Sequence, residues 1–377
     1  MKERIYVCHT FYHVYIACLK ELTGVYSHEQ GAVAPESTCD TLAKKHSKEL
    51  GATVVLSRVF LDFGDLKSRL EESGIFREVF DYDEKAAEFF PELSKYRVNS
   101  GNIFLHMIRR IIFTKKLGKA QIPYLPVDFR HYRDIYVFCD SDPIGYYLNY
   151  ARIPYHAVED GLDCLSNFDA AHFDNRRFFR FKAWMSALNL IFIQNGYGKY
   201  CLDMEVNDIS VVPNPIPNVI EQPRAELVNK LSTADQEALL KIFVADLDGL
   251  QAKLREVKEP FVLLLTEEIG DIETRERIFT AAIDRHGQLN GRPAKIVIKP
   301  HPRDTLDYQT LFPEHIVLNR LFPMEMLNFI PNLEVGRVIS VLTVLKGVTF
   351  SAETLFLGLD FLDEFIDPQT YRRNEQI

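Results

Sequence analysis

The sequence predicts an α/β fold of two parallel-sheet domains, and three observations carry that expectation. The chain has 377 residues, too many for one ordinary domain and about right for two. Short apolar runs alternate with longer amphipathic stretches, the pattern of βαβ units that stack a parallel sheet between helices. Between the halves lies VVPNPIPNVIEQP, where Pro213, Pro215, Pro217 and Pro223 remove backbone donors and hold the chain extended. The expected domains are residues 1–218 and 219–377.

The opening MKERIYVCHTFYHVYIACLK reads as a strand, Arg4 to Cys8, followed by a helix. His9, Thr10 and His13 interrupt its apolar character and no small-residue cleavage site follows, so a secretory leader is not expected. The remaining first-half strand candidates are Thr53 to Leu56, Asp134 to Cys139, Tyr155 to Val158, Leu190 to Gln194 and Ile209 to Val212. After the proline-rich segment a charged helical stretch runs from about Ala225 to Lys258. The second-half strands are then Phe261 to Leu265, Lys295 to Lys299, His315 to Asn319 and Arg337 to Val341. Nowhere does an uncharged apolar run reach the roughly 18 residues a spanning helix needs, so membrane contact is expected only at a surface.

Composition narrows the function classes. A formal charge of −9 argues against a general nucleic-acid binder, which needs surplus Lys and Arg to neutralise phosphates. Six cysteines, Cys8, Cys18, Cys39, Cys139, Cys164 and Cys201, lack CxxC or Cys/His ligand spacing, so neither a zinc site nor a disulfide framework is signalled. Reduced thiols fit a cytoplasmic protein.

Two segments carry chemistry. The strand ending in Val158 runs into Glu159-Asp160-Gly161, which sets paired carboxylates at the carboxyl end of a parallel strand, where open α/β sheets bind ligands. Asp160 is thus a candidate general base, and Asp160-Gly161 also reads as an ordinary turn. The strand Ala294 to Ile298 leads into Lys299-Pro300-His301-Pro302-Arg303-Asp304. Held between two prolines, the His301 imidazole is preorganised, and the flanking cations Lys299 and Arg303 suit a phosphate.

Glu-Asp-Gly after a first-half strand and His-Pro after a second-half strand resemble the paired motifs of bacterial sialyltransferases with two facing Rossmann-like domains. The similarity is greatest to glycosyltransferase family 52, the lipooligosaccharide sialyltransferases, and to the related capsule polysialyltransferases. Val7-Cys8-His9-Thr10 is also similar to family 52, which sets His9 and Thr10, with Glu159 and Gly161, on the acceptor side. The resemblance implies an α/β fold of GT-B type, two Rossmann-like domains facing across a cleft. It implies inverting, metal-independent transfer of sialic acid from CMP-sialic acid, with Asp160 deprotonating the acceptor hydroxyl. His301 would protonate or hydrogen-bond the departing CMP phosphate. Glu325, in Phe322-Pro323-Met324-Glu325, would bind the ribose hydroxyls, although a first-turn Glu is also favoured by a helix dipole.

Ser351-Ala352-Glu353-Thr354 reads as a capping box before an apolar run, and a helix N-terminus bearing hydroxyls is a phosphate cradle. Family 52 relatives commonly carry adjacent serines there, so Thr349, Ser351 and Thr354 all stay candidates for the phosphate hydroxyl, with Pro302 beside them on the donor side. The cluster Thr266-Glu267-Glu268-Ile269-Gly270-Asp271 makes Asp271 the reserve base, with a helix N-cap as its other reading. Asp140-Ser141-Asp142 is the one imitation of a metal-binding DxD and reads better as a helix N-cap. Residues 103–116 and 176–182 mix apolar bulk with cations, suiting either an anionic membrane surface or core helices with a charged outer face.

The expectation is therefore a sialyltransferase acting on a cell-surface glycan or its lipid-linked precursor. Its partners would be CMP-sialic acid and a glycan acceptor, with no nucleic acid and no cofactor. Peripheral contact with the inner face of the cell membrane, and a homodimer, are left open. The rival readings are a GT-B transferase using a UDP- or GDP-sugar and a catalytically silent glycan- or nucleotide-binding scaffold.

Overall fold

The computed structural model describes residues 2–26, 51–98, 101–138, 140, 143–166, 171, 175, 177–212, 216–257 and 259–367. The chain divides into two compact units, Met1–Leu231 and Ser232–Ile377. Each is built on a parallel sheet, so the expected α/β class with two Rossmann-like domains is the one found.

In the first unit the elements are β1 (Lys2–Cys8), α1 (Phe11–Thr23), β2 (Thr53–Ser57), α2 (Leu66–Ser73), β3 (Glu78–Tyr82), α3 (Ile103–Ala120), β4 (Tyr132–Phe138), α4 (Pro143–Ala151), β5 (Tyr155–Val158), α5 (Phe179–Ala187), β6 (Cys201–Val206), β7 (Val219–Glu221) and α6 (Arg224–Asn229). The seven strands are ordered β3-β2-β1-β4-β5-β6-β7. All neighbours are parallel. The order reverses between β1 and β4, and in such sheets the crevice at the carboxyl ends beside that reversal receives ligands. Helices on both faces require strands that are apolar on both faces. Val54, Val55, Leu56, Tyr136, Val137, Tyr155 and Ala157 are accordingly buried.

The second unit contains α7 (Thr233–Phe243), α8 (Leu247–Arg255), β8 (Phe261–Leu265), α9 (Ile272–His286), the short pair β9 (Gln288–Leu289) and β10 (Arg292–Pro293), β11 (Ile296–Lys299), α10 (Tyr308–Leu311), β12 (Ile316–Val317), a 3-10 helix at Met324–Phe329, β13 (Val335–Ser340), β14 (Thr354–Phe356) and α11 (Gly358–Leu362). Its five-stranded parallel sheet runs β12-β11-β8-β13-β14, reversing between β8 and β13. Val262, Leu264, Ile278, Phe279, Ile296, Ile298 and Ile339 form its core.

Three expectations are corrected. Leu190 to Gln194 is a loop: Ile191, Phe192 and Ile193 are buried, but the segment joins no ladder. Ile209–Val211 is a 3-10 turn capped by Asp208, whose carboxylate accepts from the Ser210 N–H. The boundary falls after Leu231 and not at 218/219, for a physical reason. Strand β7 ladders onto β6, and Arg224 of α6 donates to Glu205 of β6 at 2.5 Å. Lys20 of α1 donates to the other Glu205 oxygen at 2.5 Å. Burial alone raises the Glu205 carboxyl, but the two cations bring it down to about 2, so the group is a paired anion inside the unit.

Candidate active site

In the first unit, β1 ends at Cys8 and Thr10 caps α1, its hydroxyl accepting from the His13 N–H at 3.2 Å. That cap places His13 one turn along, next to the carboxyl end of β5. The His13 ring is fully buried and stacked on Phe138, with centroids 4.6 Å apart. Its Nδ1 accepts from the His9 N–H at 3.1 Å, so its proton sits on Nε2. Nε2 in turn meets Asp160 Oδ1 at 2.7 Å and the Asp160 carbonyl at 3.0 Å. Burial lowers the His13 pKa against the opposing pull of Asp160, keeping it a neutral donor. The Asp160 side chain is 48% exposed. The result is a fixed, solvent-facing carboxylate backed by a buried imidazole.

The residues around Asp160 do other work. Glu159 is buried and accepts from the Asn207 N–H at 2.8 Å, and burial raises its carboxyl. Gly161 has no left-handed backbone and a Cβ there would meet nothing, so the turn does not depend on glycine. His9 is fully buried, its Nε2 2.8 Å from Glu84, which also accepts from Ser57 at 2.6 Å and the Ile144 N–H at 2.6 Å. His9 is thus sealed inside the β1 end, away from any acceptor, while half-buried Thr10 uses its hydroxyl to cap α1. Asp140 is buried against the N–H groups of Asn195 and Gly196 and the Tyr155 hydroxyl, and burial raises it to about 6. Ser141 and Asp142 lie outside the described residues.

In the second unit, His301 follows β11 and its loop is fixed from beneath. Asp304 accepts from Arg275 of α9 at 2.6 Å, from Thr266 at 2.7 Å and from Tyr308 at 2.7 Å. Thr266 also accepts from the His301 N–H at 3.3 Å. Arg275 donates to the carbonyls of Ile269 and Gly270, so one guanidinium ties the loop after β8 to the loop after β11. His301 Nδ1 accepts from the Arg303 N–H at 3.2 Å, which puts the ring proton on Nε2. Burial, reinforced by Arg303 and Lys299, lowers the imidazolium pKa to about 4. His301 is therefore a neutral N–H donor at pH 7.

Lys299 is not an outward cation. Its ammonium is buried, donates to the carbonyls of Pro300 at 2.9 Å and Arg320 at 3.1 Å, and lies 4.5 Å from the Phe322 ring centre. Burial lowers it to about 7 against the Glu325 charge. Glu325 stands in the first turn of the 3-10 helix, where burial raises it to about 7 against its own backbone N–H and Lys299. From the same helix, Asn328 accepts from the Thr349 N–H at 2.9 Å and hydroxyl at 2.8 Å, which brings Thr349 beside the Glu325 turn. Arg303 is exposed and 3.5 Å from Glu268, next to half-buried Pro302.

The helix cradle expected at Ser351 is absent. Thr354 begins strand β14, and the Ser351 hydroxyl donates to the Glu353 carbonyl at 2.8 Å. Leu355 alternates with outward Thr354 and Phe356, so the segment adds to the edge of β13. Ser351 bridges Val335, which pairs with Phe261 at the start of β8, whereas Lys299 pairs with Leu265 at its end. Ser351 thus stands at the amino end of the sheet and His301 beyond its carboxyl end, with the four residue steps from Phe261 to Leu265, roughly 13 Å along the strands, between their levels. Asp271 caps α9, its carboxylate accepting from the Thr274 N–H at 2.8 Å, so its other reading is the one found.

Two groups went unread in the sequence. His13 had a signal, four residues after His9 and three after a capping threonine at a strand end. Glu267 is buried and accepts from the Leu342 N–H at 2.9 and 3.0 Å and from the Thr343 hydroxyl at 2.5 Å, bridging the β8/β13 reversal.

Comparison with known proteins places this geometry in context. The model of glycosyltransferase family 52 matches residues 96–353, more than half of the chain, a span that holds Asp160, Asp271, His301, Glu325 and Ser351. An uncharacterized protein of Haemophilus influenzae is 29% identical over 110 residues, 28% of this chain, and the chain spans only 34% of that relative's length. The crystal structure of an α/β-galactoside α-2,3-sialyltransferase from Photobacterium phosphoreum matches with a TM-score of 0.51 at 10% identity, covering 94% of this chain and 90% of that one. A UDP-GlcNAc 2-epimerase from Neisseria meningitidis matches with a TM-score of 0.44 at 11% identity, covering 100% and 93%.

Proposed function

Because the chain belongs to glycosyltransferase family 52, we propose that this glycosyltransferase moves sialic acid from CMP-sialic acid to a hydroxyl of a cell-surface glycan, of lipooligosaccharide or capsule type, with inversion and without a metal ion. The observation that carries the reading is His301, a neutral imidazole whose Nε2–H is fixed by an accepted hydrogen bond at Nδ1. Such a donor suits a phosphate oxygen that gains charge as it leaves, because the dipole is already oriented when the charge develops. The Photobacterium phosphoreum α-2,3-sialyltransferase shares the fold.

In the proposed step the acceptor oxygen bonds to the anomeric carbon of sialic acid while Asp160 takes its proton. The bond from that carbon to the CMP phosphate oxygen breaks, its electron pair stays on the phosphate, and His301 donates to that oxygen. His13 is the positioning residue: its Nε2–H holds Asp160 Oδ1 and turns the carboxylate toward solvent. Glu325, beside Lys299 and Thr349, holds the ribose hydroxyls.

A thermal-shift series with CMP, UMP, GMP and CMP-sialic acid tests the donor. Selective binding to the folded state stabilises it with the logarithm of ligand concentration over Kd, by about 2.7 kcal/mol at a hundred times Kd, and so raises the melting temperature. CMP and CMP-sialic acid should stabilise the protein, and stabilisation by UMP or GMP instead assigns another donor.

A further inference from the structure

Helices α3 and α5 carry a surface the transfer reaction does not use. On α3, Ile103, Phe104 and Ile108 are exposed, and on α5 and its end, Phe181, Trp184 and Leu188. Phe104 is 78% exposed and Trp184 56%, extremes for side chains of that size. Phe104 and Ile108 are four residues apart, and Phe181, Trp184 and Leu188 follow at three and four, so each set shares one helix face. Phe181 and Trp184 stack with centroids 5.8 Å apart.

The two helices are neighbours. Arg110 of α3 donates to Asn175 just before α5, and Lys115 donates to the Asn189 carbonyl just after it. Charge singles out the surface further. In a chain of net charge −9, α3 holds Arg109, Arg110, Lys115, Lys116 and Lys119 and no carboxylate, while α5 holds Arg180 and Lys182 and no carboxylate. No helix among the described residues is long and apolar enough to cross a membrane.

We infer that α3 and α5 form a seat on an anionic phospholipid bilayer, with Phe104, Ile108, Phe181 and Trp184 entering the headgroup boundary and the cations meeting lipid phosphates. Aromatic and aliphatic side chains flanked by Lys and Arg match an interface that is apolar below and negative above. A protein partner of ordinary composition offers no such uniform negative field. The seat stands apart from the donor assignment, which concerns other residues.

Trp184 is the only tryptophan in the sequence, so its emission reports directly on this surface. The full chain is mixed with vesicles of phosphatidylcholine, with and without phosphatidylglycerol, and followed by tryptophan emission and flotation. The expected result is a blue shift and flotation with the anionic vesicles alone, both weakened by salt. A Phe104→Ser, Trp184→Ser variant, which lacks the emission reporter and is followed by flotation alone, should need at least about tenfold more lipid, with an unchanged melting temperature as proof of folding. Absence of binding to either vesicle overturns the inference, as does equal binding by the variant. A dimer, seen by light scattering and dissociated by the variant while the wild type fails to float, gives the surface to a second copy and also overturns it.

Discussion

The protonation state assigned to His301 makes a prediction about stability. In the unfolded chain its imidazole titrates at the ordinary value of 6.5, and in the folded protein at about 4. Between those values the unfolded state binds the proton and the folded state does not, so folding stability from this group is complete above pH 6.5 and is lost as pH falls toward 4. Carrying the two values through the linkage relation, acidification from pH 7.5 to pH 5 removes about 2 kcal/mol. The perturbation is His301→Gln, which keeps a hydrogen-bonding side chain and deletes the titration. Urea unfolding of wild type and variant at both pH values isolates the contribution, because every other titrating group cancels in the difference. The wild type should lose about 2 kcal/mol more than the variant on acidification. Equal losses would mean that His301 charges normally in the folded state, and the case for a resting neutral donor would fail.

Other consequences follow from the same geometry. Asp160→Asn should cost two to four orders of magnitude in turnover, roughly the worth of a general base, while Asp271→Asn, which keeps a side-chain oxygen for the cap, should leave turnover within a few fold; steady-state rates with the order reversed would move the base to Asp271. His13→Leu should lower kcat by roughly ten- to a hundredfold with little change in donor KM, since it removes a charge-assisted hydrogen bond of about 1.5–3 kcal/mol behind the base, and His13→Asn should recover part of the loss. A rise in donor KM alone in His13→Leu would leave His13 a packing residue. Arg275→Met strips the partner from buried Asp304 and should destabilise the second unit by about 3–5 kcal/mol in urea titrations, and a loss under 1 kcal/mol would show that Asp304 does not anchor the His301 loop.

Much of the fold was legible in the sequence because its central strands are apolar on both faces. β1, β2, β4, β5, β8, β11 and β13 are short runs of Val, Ile, Leu, Tyr and Phe, and burial between helices demands that composition. β6 was hidden because Asp203 and Glu205 interrupt CLDMEV. Both are buried and paired, with His156 at 2.8 Å and with Lys20 and Arg224, and such pairing cannot be read from spacing. β3 is an edge strand interrupted by Glu78 and Asp81, and β14 is an edge strand of only three residues, so neither gives a clear apolar signal. At the site, the ends of β5 and β11 announced Asp160 and His301, whereas the pairing of His13 with Asp160 spans 147 residues of sequence and appears only once β1 and β5 share a sheet. The apolar run after Ser351 fits a helix or a strand equally well, and the free edge of β13 decides for strand.

The most direct test of the central claim is proton NMR of a reaction containing the full chain, CMP-sialic acid, an oligosaccharide acceptor and excess EDTA. The account predicts release of CMP together with an α-linked sialoside formed from the β-linked donor, at a rate that EDTA leaves unchanged and that Asp160→Asn abolishes. Retention of the β configuration, dependence on a divalent metal, or turnover of a UDP- or GDP-sugar in place of CMP-sialic acid would contradict it.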